Sequence, residues 1–183
     1  MPHSQFRDRL IALANATSGN PSGFLEGLSD IHVDWHNEMP PTYGFLLFHH
    51  RVVRYFNSIV NPQLQRQIAA FTPNEFQDMG AQPFPDDLAN NDTLADLANV
   101  SSAIESWHNR AHGIIGRATG TPMMDASQNI FFRPFWQLHL YIDGLFQAVL
   151  QQYGNIQHPN QFVDAMAIAG HLEVSHHSWV PRI

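Results

Sequence analysis

The sequence predicts an all-α protein forming a single domain over residues 1–183, and three observations carry that expectation. Apolar residues recur at 3.6-residue spacing in one segment after another. Turns containing proline or glycine separate those segments, and strand-like alternation is scarce. With 183 residues, 44% apolar and 14% charged, the chain is long enough to bury a sizeable core.

Taken in order, "SQFRDRLIALANA" places Phe6, Leu10 and Leu13 on one helix face and ends in the Ser-Gly-Asn-Pro turn at 18–21. "GFLEGLSDIHVDWHN" keeps the helical period until Pro40 and Pro41 stop it. "YGFLLFHHRVVRYFNSIV" is a long apolar helix closed by Asn61-Pro62, and the polar, proline-rich stretch 72–93 is loop with a short helical turn. "SSAIESWHNRAHGII" opens on a candidate capping box, Ser102 with Glu105 three residues later. Residues 116–133 read as irregular loop. "PFWQLHLYIDGLFQAVLQQYG" is the last strong helix, with Pro134 in its first turn, and "NQFVDAMAIAGHLEV" is a weaker one.

The formal net charge is −7, and only 9 Lys and Arg are scattered along the chain, so neither nucleic acid nor an acidic membrane is expected as a partner. No signal-peptide pattern and no run long enough to span a bilayer is visible, which makes the cytoplasm the default location. Cysteine is absent, which removes disulfides, thiolate ligands and iron–sulfur clusters. Histidine is the unusual count: its 12 residues outnumber Lys and Arg together.

Two of the predicted helices carry histidines four apart, His32/His36 in "IHVDWHN" and His108/His112 in "WHNRAHG". Residues i and i+4 sit one above the other, so both imidazoles can reach one cation. A single such pair is common on an exposed helix face. Here each pair is followed by a further histidine in an apolar helix, His49 after "GFLLF" and His139 within "FWQLHLYID". A buried neutral imidazole needs a hydrogen-bond partner or a metal to offset its desolvation. Two sets of three, built alike, point to two metal sites. All-imidazole ligands suit zinc, copper, iron or nickel rather than calcium or magnesium, and the carboxylates of a di-iron bundle are missing. Six neutral ligands compensate no charge, which favours Cu(I) at rest.

These segments resemble the type-3 copper proteins: tyrosinases, catechol oxidases, arthropod hemocyanins and prophenoloxidases. "WHNRAHG" is similar to the family's His-Asn-x-x-His segment, and "PFWQLHLYIDGLFQ" to its Phe-Trp/Tyr-x-x-His-x-x-Ile-Asp segment, with His139 as third ligand of the second site. "FLLFHHRVVRYFN" resembles the tyrosinase Phe-Leu-Pro-Trp-His-Arg pattern; aligned on Phe45 and Leu46, the ligand falls on His49, and His50 takes the place of the Arg. "IHVDWH" resembles the hemocyanins and prophenoloxidases. The resemblance covers roughly 28–60 and 100–150. It implies a four-helix bundle core holding a dinuclear copper site, with His32, His36 and His49 on one copper, His108, His112 and His139 on the other, and dioxygen bound as a bridging peroxide. The chain departs from the family at Leu138, where tyrosinases carry a further His, and in "FRPFW", which lacks the usual Asp-Pro.

The function so implied is a dicopper phenol oxidase that uses O2 to convert phenols, catechols or o-aminophenols to quinones, with a copper chaperone as candidate accessory partner. The alternatives are a hemocyanin-like O2 binder without turnover, a biosynthetic copper oxygenase acting on a nitrogen-bearing aromatic, and a mononuclear or zinc site on a similar bundle. Glu105 and Asn109 fall near the places where tyrosinases use a Glu and an Asn to hold a proton-accepting water. A phenol of pKa about 10 must lose its proton to bind copper, so a base is chemically required. Asp143 is read as bracing a neighbouring helix, and His50 as lying outside the ligand set. Trp35, Trp107 and Trp136 are read as packing around the site, and His158, His171, His176 and His177 receive no role.

Overall fold

The computed structural model describes residues 3–38, 44–85 and 94–155. Among the described residues the chain is helical and no strand is present. The elements are α1 (His3–Ala16), α2 (Pro21–Glu38), α3 (Gly44–Ile59), α4 (Pro62–Gln67), α5 (Pro73–Asp78), α6 (Leu94–Thr119), a 3-10 turn at Asn129–Phe131, and α7 (Arg133–Asn155). The weak helix expected over 160–174, the Pro40-Pro41 stop and the four C-terminal histidines lie outside the described residues.

Several helix starts share one local cause. Asn20 before Pro21, Asn61 before Pro62 and Thr72 before Pro73 each pair a capping side chain with a proline at the first helical position. Asn20 Oδ1 accepts from Gly23 N at 3.1 Å, and Asn61 Oδ1 from Gln63 N at 2.7 Å. Thr72 and Glu75 complete a reciprocal capping box. The same Asn-Pro that closes α3 thus opens α4, a helix that reading the proline only as a stop had missed. The capping box expected at Ser102/Glu105 is corrected: α6 begins at Leu94, so both residues sit in the helix interior, where amides are already paired with carbonyls one turn back. At its other end α6 stops at Thr119, and Gly120 adopts φ 68°, the left-handed conformation that lets a chain leave a helix.

Packing centres on α3, which lies against α1, α2, α6 and, most extensively, α7. Its inner face is Phe45, Phe48, Val52 and Phe56, all 5% exposed or less. Phe56 stacks on Trp136 of α7 with ring centroids 3.7 Å apart. Each such aromatic withdraws enough apolar surface to contribute about 2–3 kcal/mol of transfer free energy. Trp136 Nε1 donates to Ile130 O at 2.8 Å, fastening the start of α7 to the 3-10 turn. The helices that carry the six singled-out histidines, α2, α3, α6 and α7, are held in this way at fixed spacing.

Candidate metal centre

The two histidine sets meet. His32 and His36 come from α2, His49 from α3, His108 and His112 from α6, and His139 from α7. Ring centroids of His49 and His139 are 4.9 Å apart, of His49 and His108 5.5 Å, and of His36 and His108 6.2 Å with the rings nearly parallel. The donor nitrogens of His108, His112 and His139 lie within 4.8 Å of one another, and so do those of His32, His49 and His139. His139 therefore sits between the sets, while His36 reaches the cluster through His32, with Nε2 atoms 3.0 Å apart. The expected sets differ from this grouping only in placing His36, and not His139, beside His32 and His49. Five of the six rings are buried and His36 is half-buried.

Hydrogen bonds fix which nitrogen faces inward. His49 Nδ1 donates to Phe45 O at 2.8 Å and His139 Nδ1 to Phe135 O at 2.7 Å, each one turn back on its own helix. His32 Nδ1 donates to Ala126 O at 3.2 Å, His112 Nδ1 to Met123 O at 2.5 Å, and His108 Nδ1 to Asn109 Oδ1 at 3.2 Å. A carbonyl oxygen only accepts, so Nδ1 carries the proton in these rings and Nε2 keeps its lone pair. Outward Nδ1–H bonds of this kind set the aim of metal-binding histidines.

The inward nitrogens then lack protons to share. Nε2 of His49 and of His112 is buried with no partner. Nε2 of His108 and of His139 face each other at 3.2 Å, yet both rings spend their proton on Nδ1. Two lone pairs at that distance repel unless a cation lies between them. Two ligands at about 2.0 Å from a tetrahedral metal are separated by about 3.3 Å, close to the spacing found. The donor set fits a bound metal.

Protonation is not a substitute for that cation. Burial lowers the His32 pKa to about 3, aided by the nearby His36 charge, and lowers His36 and His112 to about 4. Burial first, then the neighbouring imidazoles, hold His49, His108 and His139 well below the ordinary value. At neutral pH all six are uncharged and able to donate to a metal.

A cleft of about 230 Å³ reaches the cluster from outside, with His36, His108, His112, Asn109, Asn129 and Met124 among its walls. Met124 is 71% exposed at its mouth. Asn109 lines this cleft. Glu105 does not line the cleft; it sits one turn earlier on α6, buried, with Oε2 unpaired, and desolvation pushes its carboxyl up to about 7. His50 is kept from the cluster: its Nδ1 meets Asp143 Oδ1 at 2.5 Å and its ring lies 5.0 Å from Phe146. Asp143 thereby braces α3 against α7. Of the three tryptophans among the described residues, only Trp35 has a ring contact with the cluster, 5.0 Å from His36 and 5.2 Å from His49. Trp107 packs on Phe76 and Tyr141, and Trp136 on Phe56.

Sequence reasoning missed the residues that aim His32 and His112, because they act through main-chain carbonyls at Ala126 and Met123, inside a segment read only as loop. Asn129 is also new: its Nδ2 donates to Met123 O at 3.1 Å, and its Oδ1 is buried without a partner. Among the described residues no helix is long and apolar enough to cross a membrane. Compared with protein-family models, curated proteins and solved structures, the chain matches none.

Proposed function

We propose that the chain is a copper-dependent oxidase of the type-3 class, using dioxygen to oxidise phenols, catechols or o-aminophenols to quinones. The observation that carries the reading is the pair of three-imidazole sets merged into one buried cluster, with Nε2 lone pairs turned inward and no thiolate or carboxylate among them. His32, His36 and His49 would hold one copper, and His108, His112 and His139 the other. When bound, the copper pair supplies two-electron chemistry with dioxygen.

The chain's own residues supply the rest. A cavity of about 150 Å³ is known to hold benzene, so a cleft of about 230 Å³ suits a one-ring aromatic. Asn109 stands on the cleft wall and, through its side-chain oxygen, holds the His108 ring. Glu105, with a carboxyl lifted to about 7, has the affinity of a general base working near neutrality. Because it stands off the cleft, it could take the phenol proton only through a water held on the Asn109 side, not by contact with the ring. An open cleft favours turnover over the alternative reading of a dioxygen carrier.

The test is stoichiometry and spectrum. Two copper ions per chain are expected, with an absorption band formed on adding O2 or peroxide and lost on reduction, and quinone formed from a catechol. One metal per chain, or zinc retained after copper loading, would overturn the reading. Full copper loading and a reversible O2 band without quinone would assign the carrier.

A further inference from the structure

We infer that segment 121–129 is a single strap that positions one imidazole in each three-histidine set, with Asp125 and Asn129 as its positioning residues. The inference rests on the two-copper reading above and adds a part that no ligand assignment contains.

The geometry is specific to this segment. Four of the rings make no bond to it: His49 and His139 are aimed by their own helices, His108 by Asn109, and His36 meets His32. The remaining two are aimed from one short piece of chain. Met123 O takes the His112 proton, and three residues later Ala126 O takes that of His32. One ring belongs to α6 and the second set, the other to α2 and the first. A displacement of the strap therefore turns both rings at once.

Side chains hold those two carbonyls in place. Asp125 Oδ1 accepts from Ser127 N at 2.9 Å and from Ser127 Oγ at 2.6 Å, while its carbonyl accepts from Gln128 N and Asn129 N at 3.0 and 2.8 Å. This closes the turn that presents Ala126 O. Ser29 Oγ donates to Ser127 O at 2.8 Å and pins the turn to α2 beside His32. Asn129 Nδ2 shares Met123 O with His112, fixing the other carbonyl. At the α6 end, a Cβ on Gly116 would meet Thr121 O at 3.1 Å and Met123 Cβ at 3.2 Å, so the strap seats against α6 because residue 116 has no side chain. Outer partners that aim ligating histidines typically change metal affinity 10–100-fold when lost. Most act on one metal; this strap acts on two.

Cu(I) titration against a competing chelator, without oxygen, tests it. In the parent chain two equivalents should bind; fewer would defeat the two-copper reading itself and leave the strap nothing to couple. The strap is then judged in two single-site backgrounds, His49→Ala, which spares the second set, and His108→Ala, which spares the first. Asp125→Ala should weaken the remaining equivalent in both backgrounds, about tenfold or more. Asp125→Asn, which keeps the accepting oxygen, should restore both. Weakening in only one background, or in neither while circular dichroism shows a folded chain, overturns the proposal. Should Asp125→Ala fail to fold, Gly116→Ala carries the same test, since it lifts the strap without removing a polar group. Equal loss at both sites supports the strap, and loss at one refutes it.

Discussion

Acidification should unfold the metal-free protein over a narrow range, and the cluster sets its position. All six histidines have folded-state values below the ordinary 6.5, at about 3 for His32 and about 4 for His36 and His112. The unfolded chain therefore binds more protons than the folded one once pH drops below about 6.5, and stability falls with pH until the folded values are reached. At about pH 5 each neutral, buried imidazole costs about 2 kcal/mol relative to neutrality, together about 11 kcal/mol for six. Glu105 works the other way, because its raised carboxyl favours the folded state as pH falls, by at most about 3 kcal/mol. The net loss, about 8 kcal/mol, is comparable with the whole stability of a typical domain. Urea midpoints of the metal-free chain across pH 8 to 5 should show a steep fall beginning near pH about 6.5, worth several protons. On the two-copper reading, copper would occupy the same nitrogens, so the loaded protein should withstand a lower pH. A metal-free chain whose midpoint is flat between about pH 7 and 5, or falls by only one proton's worth, would show that the imidazoles are not held neutral and desolvated.

Three further outcomes follow from the same geometry. His49→Ala should abolish the O2-dependent band while copper at the second site persists, whereas His50→Ala should keep both coppers and lose about 1–3 kcal/mol in urea melts through the broken bond to Asp143; loss of a copper with His50 would return the ligand to that residue. Glu105→Gln should stabilise the chain above pH about 7 by up to about 3 kcal/mol, with no gain near pH 4, while lowering phenol oxidation far more than catechol oxidation. An unchanged ratio between the two substrates would leave Glu105 without a role as base. Gly120→Ala should cost about 1 kcal/mol of stability through its φ of 68° and leave the spectrum of the loaded protein unaltered.

The histidine set was legible because helical spacing is a property of side chains, and the pairs at 32/36 and 108/112 declare it. Choosing His49 over His50 needed the resemblance, since both have apolar neighbours one turn away; the structure separates them by giving His50 a carboxylate on α7. That the two sets touch was not legible in the spacing and came only from the resemblance, because no spacing in α2 or α6 encodes the contact of His36 with His108, which depends on how both pack around α3. The strap was equally hidden. Carbonyl groups are the same in every residue, so nothing in "MMDASQN" distinguishes a loop that aims two imidazoles from one that does not. Ser102 and Glu105 misled because a capping pattern can occur inside a longer helix, and the spacing of Leu94, Leu97 and Val100 that marks its true start went unread.

His49 and His139 share one arrangement: a phenylalanine four residues earlier takes the Nδ1 proton on its carbonyl and lays its ring 4.4 or 3.9 Å from the imidazole. The two services are separable. The aim of the imidazole belongs to the main chain and survives any replacement of Phe45 or Phe135 that keeps the helix intact, whereas the wall belongs to the side chain. A replacement at either position that still fills the fully buried space would alter how dry and polarisable the cluster's surroundings are, without redirecting either imidazole. Those two positions are tuning points within the limits of core packing, on a mount that a well-packed replacement does not move.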